Sequence, residues 1–435
     1  MYTQWIELGK QKGLSELEIF SVRNKSLSLT VYQGKLDSHV KSDVEHVTLR
    51  GIYDGKMSLV RFENLSTTHV ETLIDRLIEN AKALTVSEPA IIFEGSPSYP
   101  EVKEERYDFG QIPVTKKIDL LIALEKDILD HPSVSQVQST SYQEIDTKTT
   151  LINSKGLHLT KQNTYAYAYA IGVFQKDDDI KTAYDIKLVK NFDDFNAKEM
   201  AETTIKQGLQ KLGGKTIPTK AYPIVFSNER FADILNVFEP IFSGEAAYRN
   251  LTALKDKVGQ QIFGDNINIT DDPLHDKSHF KIPFDDEGVA CYRREVVKQG
   301  VFNGFNHNLK TASIFKTEPT GSGFNGGISP TNFYLEPTDL TFDEMIKDIK
   351  EGVYITDLVG LHAGVKTVSG EFSLQASGLM IKDGKLDHAV KMIVVSGNFF
   401  DMMNHVKGIA NDLKFELFAV GSPSVYVESL MIGGE

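Results

Sequence analysis

Asn163-Thr-Tyr-Ala-Tyr-Ala-Tyr-Ala-Ile-Gly-Val-Phe174 puts Tyr165, Tyr167 and Tyr169 on one side of an extended chain and Ala166, Ala168 and Ala170 on the other. A period of two is the period of a pleated strand, so this stretch predicts a strand whose two faces meet different surroundings. A tyrosine ladder on a sheet packs against a helix or faces solvent; stacking a ligand is the minor alternative. Upstream, helical spacing is predicted over Lys116–Leu129, followed by strands at Val134–Tyr142 and Thr149–Ile152. Downstream, Lys198–Leu212 reads as a helix stopped by Gly213-Gly214.

Further out, residues 3–12 predict a short helix and Leu17 to Glu63 a run of strands, with Leu27, Leu29 and Val31 alternating against polar neighbours. Gln33-Gly34 and Asp54-Gly55 punctuate this run as turns of an antiparallel meander. Residues 67–84 carry Val70, Leu73, Ile74, Leu77, Ile78 and Ala81 at helical spacing, an apolar stripe on which the meander packs. A connector rich in Pro and Glu, Ser87 to Tyr107, leads to the second unit. From Ala221 a buried strand, Tyr222–Phe226, runs through Ser227-Asn228-Glu229 into a helix at Arg230–Phe238. The rest is rich in glycine and short strands, with helices expected at Thr341–Ile349 and Phe399–Ala410. The expected fold class is α+β: antiparallel strands with packed helices in subdomains 1–100 and 105–215, then a β-rich domain over 220–435.

The 435 residues are 41% hydrophobic and 25% charged, the composition of a globular chain, and too many for one ordinary core. A formal charge of −13 argues against nucleic acid, whose non-specific binding is built from phosphate neutralisation by Lys and Arg. The first residues lack a basic-then-apolar signal pattern, no stretch reads as a membrane span, and Cys291 stands alone. The expected location is the cytoplasm.

No histidine lies between His158 and His275. His275 and His279 have the i, i+4 spacing of a metal-binding helix, but they follow the turn Asp271-Asp272-Pro273 and lack a general-base glutamate. Gly321-Ser-Gly323-Phe-Asn-Gly326 matches the dinucleotide fingerprint by letter, yet Pro319 precedes it and Ser329-Pro330 follow where a helix must open. Asp285-Asp286-Glu287 offers paired carboxylates, more simply an acidic turn between strands, and Cys291 reads as a packed thiol within a strand. These residues assemble no complete catalytic constellation.

Pro283-Phe-Asp-Asp-Glu-Gly-Val, Gly300-Val-Phe-Asn-Gly, Thr320-Gly-Ser-Gly, Gly352-Val-Tyr-Ile-Thr-Asp-Leu and the run from Gly364 to Gly378 occur in the order found in the TldD/PmbA family, which the chain resembles. TldD-type members are zinc metallopeptidases with His-Glu-x-x-x-His on the helix after the strand matching Tyr222–Phe226, and a cysteine near the C-terminus. The matching segment here is Ile234-Leu-Asn-Val-Phe-Glu239-Pro-Ile-Phe, and no cysteine follows Cys291. The resemblance therefore implies the PmbA (TldE) branch: no catalytic residue or metal ligand in this chain, and zinc in a TldD-type partner. It further implies a heterodimer, or a homodimer of this chain, enclosing a cleft that takes an unfolded peptide for proteolysis. Gly321, Gly323, Gly360, Gly370, Ser373 and Gly378 are the residues expected in the cleft wall. The competing expectation is a regulatory protein that binds DNA gyrase or a toxin–antitoxin system, from the family's label as a modulator of DNA gyrase.

Overall fold

The computed structural model describes residues 2–63, 69–85, 88–102, 107–415 and 419–435; Ser87 and residues 103–106 of the expected Ser87–Tyr107 connector lie outside these. The fold is α+β. Helix α1 (Tyr2–Gln11) precedes a meander of β1 (Glu16–Tyr32), β2 (Lys35–Tyr53) and β3 (Lys56–Glu63), followed by α2 (Val70–Ala83). Then come α3 (Val114–Leu129), β4 (Val134–Asn153), β5 (His158–Lys176), β6 (Asp179–Val189) and α4 (Ala197–Lys211). All six strands form one antiparallel sheet in the order β3-β2-β1-β4-β5-β6. The two predicted turns sit where expected: Gln33 and Gly34 take φ of 53° and 70°, Asp54 and Gly55 49° and 73°, the double left-handed geometry of a tight hairpin.

The helices occupy the two ends of one face and leave its middle bare. On β1, Leu17 and Ile19 lie under α1 and α2 with Leu73, Ile74 and Leu77, while Leu27, Leu29 and Val31 lie under α3 and α4. Each such fully buried aliphatic side chain contributes about 1.5–3 kcal/mol relative to exposure. Between the two clusters Arg23 and Lys25 point the same way, and among the described residues no α-helix covers them; Arg23 makes a two-pronged bond to Asp43 at 2.8 and 2.9 Å, and a recess of about 490 Å³ opens beside the Tyr107–Gly110 turn. This explains a difference from the sequence reading, which split β4 at its polar stretch Gln143–Lys148. The stretch lacks apolar alternation because part of it floors the bare zone, yet the strand is continuous over 20 residues. The alanine face of β5 meets α3 and α4, with Ala166, Ala168 and Ala170 fully buried. The tyrosine face looks toward the C-terminal unit, where Tyr165 packs edge-on against Phe280 at 5.3 Å.

That unit opens with β7 (Lys220–Phe226), α5 (Asn228–Phe238) and α6 (Gly244–Tyr248), then β8 (Ile269–Asp271), β9 (Arg294–Lys298), β10 (Val301–Phe302), α7 (Leu309–Phe315), β11 (Phe333–Leu335) and α8 (Phe342–Ile346). It continues with β12 (Glu351–Val359), β13 (Val365–Lys366), β14 (Glu371–Lys382), β15 (Lys385–Asn398), α9 (Phe399–Asn404), β16 (Val406–Ile409), β17 (Lys414–Phe415), β18 (Val420–Ser422) and β19 (Val425–Gly433). Strands β12-β7-β19-β15-β14 close on themselves through the β12–β14 pairing into a five-stranded barrel. A second sheet runs β10-β9-β8-β11-β18-β17. One core joins barrel, α5 and second sheet through Phe226, Phe231, Phe238, Phe242, Phe333 and Phe399. The helix expected over Phe399–Ala410 ends at Asn404, because Val406–Ile409 pairs with β19 instead; tertiary pairing overrides local spacing. Likewise α8 is shorter than Thr341–Ile349, and Cys291 lies in a loop before β9 rather than within a strand.

Candidate functional site: a cleft between sheet and barrel

Strand β7 runs directly into α5, and Ser227 at the junction caps the helix by accepting a hydrogen bond from the Arg230 N–H at 3.3 Å. This helix start forms the floor of a cleft of about 540 Å³ whose walls are β6 and α4 on one side and β12 and β14 of the barrel on the other. Ile180, Tyr184 and Val359 give the walls exposed apolar surface. Charges line the cleft in pairs, Lys414 to Glu229 at 2.6 Å and Lys211 to Asp357 across the walls at 3.1 Å, and Arg230 on the floor pairs with Asp233 at 2.7 Å. The Arg230 Nε is buried without a hydrogen-bond partner. Burial raises the pKa of Asp185, against the opposing pull of Lys414 and Lys187, and burial pushes Tyr354 up to about 12.

β6 is the last strand of its sheet, so its outer side is an edge. Lys211 Nζ donates to the Thr182 carbonyl at 3.2 Å, which shows that even-numbered residues turn their backbone groups outward. An edge strand flanked by apolar walls and paired charges can hold an extended chain through backbone groups, with little demand on its sequence.

The six residues expected in the cleft wall fall in three places. Gly378 lines this cleft; a Cβ there would lie 1.9 Å from the Tyr354 carbonyl oxygen, so glycine is what lets β12 and β14 approach. Gly360, Gly370 and Ser373 gather beyond the far end of the β12–β14 pairing, where Ser373 N–H donates to Gly364 and Phe399 N–H to Gly370. Gly321 and Gly323 sit in a loop pressed on Ala290 and Glu287, with no room for a side chain at either. Sequence reasoning missed Lys211, Arg230, Tyr354, Asp357 and the whole of β6. The signal for β6 was faint, since its turn carries Asp177 rather than glycine in the left-handed region.

The acidic turn has a structural role. Asp285 accepts N–H bonds from Glu287 and Val289 at 2.9 Å and from Gly323 at 2.8 Å; burial, helped by Glu287, pushes its pKa up to about 7. Asp286 offers its carbonyl to Arg50 at 2.6 Å, and Lys161 donates to the Phe284 carbonyl at 2.7 Å, so the turn fastens the N-terminal sheet to the C-terminal unit. Cys291 donates to the Gly321 carbonyl at 3.1 Å, and burial raises its pKa, which suits packing and not nucleophilic attack.

On α5 and the turn after it, the donor set does not fit zinc. Asn236 is exposed, Phe238 stacks on Phe399 with ring centres 4.1 Å apart, and Ile241 is buried in the core. Glu239 is buried with one oxygen lacking a partner, and its pKa is pushed up to about 8 by burial and by Asp271. Among the described residues no group of three or more His, Cys, Asp or Glu side chains is arranged to hold a metal. His275 packs in a loop against Tyr334 and Phe415, and no helix joins it to His279. Among the described residues no helix is long and apolar enough to cross a membrane.

Three family profiles match in order: PmbA/TldA metallopeptidase domain 1 over residues 17–84, its central domain over 107–212 and its C-terminal domain over 219–434. An uncharacterized protein of Methanocaldococcus jannaschii is 28% identical, over 91% of this chain and 92% of its own. The metalloprotease PmbA homolog of Buchnera aphidicola is 26% identical, over 68% and 69%. The crystal structure of a proposed modulator of a DNA gyrase from Thermotoga maritima is 31% identical and superposes over 99% of both chains with a TM-score of 0.92. TldE from Thermococcus kodakarensis shares the fold over 100% of both chains at 20% identity and a TM-score of 0.88. The chain belongs to the PmbA/TldD metallopeptidase family.

Proposed function

We propose that this chain is the PmbA/TldE-like subunit of a two-component metallopeptidase, holding an unfolded peptide while a TldD-type partner supplies the zinc and cuts. The observation that carries this reading is the α5 segment: Phe238 and Ile241 are core residues there, and Glu239 is a buried carboxyl that holds its proton at neutral pH. Turning imidazoles inward at these positions would put polar donors into the aromatic stack with Phe399. The cleft beside β6 supports the peptide role, because strand-edge pairing reads backbone rather than side chains and accepts many sequences. No step of hydrolysis runs through this chain's own residues. Its contribution is to extend the substrate and limit its freedom, which lowers the entropic cost of reaching the partner's metal.

The test is reconstitution with a TldD-type subunit, using an unfolded protein as substrate and elemental analysis of each component. Stoichiometric zinc in the partner alone, with cleavage that needs both chains, is the expected result. Cleavage by the isolated chain, or cleavage by the partner that is indifferent to it, would overturn the reading.

A further inference from the structure

The middle of the N-terminal sheet, bare on its helix side, carries an arrangement of charge that no run of sequence shows. Pairing registers place Lys41 of β2 opposite Leu27 of β1, and Arg23 of β1 opposite Lys148 of β4. Lys25 stands between Arg23 and Leu27 on the same face of β1, so Lys41, Lys25 and Lys148 lie on one diagonal across three strands. At normal strand spacing each step along it is about 8 Å between Cα atoms. The diagonal crosses the recess of about 490 Å³ and an adjoining one of about 210 Å³ that shares Lys25, Asp146 and Gln162 with it. The larger recess alone falls within the ~300–1,000 Å³ of ligand pockets.

Acids border the diagonal on both sides, and each is already engaged. Asp43 holds Arg23, and Glu45 accepts from Tyr2 at 3.1 Å and Ser21 at 2.5 Å. Asp146 accepts from Gln162 at 2.6 Å and Thr164 at 3.2 Å, and Glu144 from Tyr142 at 2.7 Å and Lys117 at 2.5 Å. The three lysines differ: among the described residues none of them makes a hydrogen bond or a close ion pair. Arg23 first, then Lys25 and Lys41, hold the Asp43 carboxyl below its ordinary value, so the field at this carboxylate is positive in a chain of formal charge −13.

We infer that this diagonal binds an extended acidic segment of another protein. Carboxylates at alternate positions of an extended chain recur every ~7 Å on one side, and long lysine side chains close the difference from the ~8 Å step. The bordering acids leave a lane one chain wide. A membrane surface or a nucleic-acid duplex is broader and would lay negative charge on Asp43 and Asp146 as well. The middle of the sheet has no open strand edge, so recognition here comes from charge and not from backbone pairing; β1, at the centre of the lane, is three strands away from the free edge of β6. Exposed ion pairs contribute up to about fivefold in affinity each, so three of them give weak, salt-sensitive binding that recruits a partner without locking it. The inference stands apart from the peptidase reading, since it needs neither zinc nor the cleft.

Fluorescence anisotropy tests it, titrating the full chain into a labelled peptide of about eight residues that alternates Glu and Thr. Saturable binding below roughly 1 mM is expected at 0.1 M salt, and its loss at 1 M, where the screening length falls from about 10 Å to about 3 Å. Lys25→Thr and Lys148→Thr, both at exposed strand positions, should each weaken binding by about two- to fivefold. Lys385→Thr, which removes an exposed lysine from the barrel, should leave it unchanged, and a peptide with Lys in place of Glu should not bind. No binding of the Glu peptide up to roughly 1 mM would overturn the inference, as would binding that Lys25→Thr and Lys148→Thr leave unchanged. Oligodeoxythymidylate bound more tightly than the peptide, and weakened by the same two substitutions, would overturn it in favour of single-stranded nucleic acid.

Discussion

Replacing Glu239 by glutamine should remove its share of the pH dependence of the C-terminal unit's stability, leaving only the slope set by other buried acids such as Asp285 and Asp271. Glu239 is 8% exposed, one carboxyl oxygen is buried with no partner, and burial lifts its pKa from 4.5 to about 8, with Asp271 adding to the shift. Its folded pKa lies above its unfolded one, so the neutral side chain stabilises the fold fully below pH 4.5, and this is lost as pH rises through 8. Each pH unit in that window costs about 1.4 kcal/mol, or about 3 kcal/mol by pH 7 and about 5 kcal/mol above pH 8. Glutamine does not ionise. It does bring an N–H₂ into the same pocket, which shifts stability by a constant amount at every pH, so the diagnostic is the slope and not the offset. Thermal unfolding of both proteins at pH 4.5, 6, 7 and 8 reads it directly. For a unit of this size 3 kcal/mol corresponds to roughly 6–12 °C, so the difference in melting temperature should grow by about that much between pH 4.5 and 7. A difference that stays constant over that interval would refute the buried-acid argument.

Leu77→Ala removes a fully buried side chain from the α2 stripe and should destabilise the N-terminal sheet by about 2–5 kcal/mol, measured by chemical denaturation. Arg50→Ala strips the ion pair from Glu18, a buried carboxylate, and the bond to the Asp286 carbonyl; a loss of about 3–5 kcal/mol and faster proteolysis between sheet and barrel should follow. Asp285→Asn cannot accept all three N–H bonds the carboxylate takes, so amide exchange at Glu287, Val289 and Gly323 should accelerate while the core of α5 stays protected.

What was legible in the sequence was whatever local periodicity or turn chemistry decides. The tyrosine–alanine strand, the α2 stripe and both hairpin turns were readable because side-chain alternation, helical spacing and glycine after a polar residue each have one natural backbone. The polar middle of β4 was not, because its strand geometry comes from neighbours on both sides and not from its own pattern. The segment after Asn404 failed for the same reason, drawn into a strand by β19. The candidate cleft was mostly hidden: Gly378 could be picked out, but Lys211, Arg230 and Asp357 come from three distant segments and meet only after the barrel closes and the sheet is fastened to it. The acidic turn was visible as a cluster, and its use as a fastener depends on Arg50 and Lys161, which stand far from it in the chain.

The bare middle of the N-terminal sheet has a consequence for dissecting this protein. Strand β1 runs beneath both helix pairs and zips to β4 from Glu18 to Val31 without a break in register. A fragment ending after α2 would expose that whole flank of β1 as an unsatisfied ribbon, and one beginning at α3 would expose the same flank of β4. Each half would then be a template for joining its own kind, so recombinant halves cut there should precipitate, whereas mixing them during refolding should rescue both.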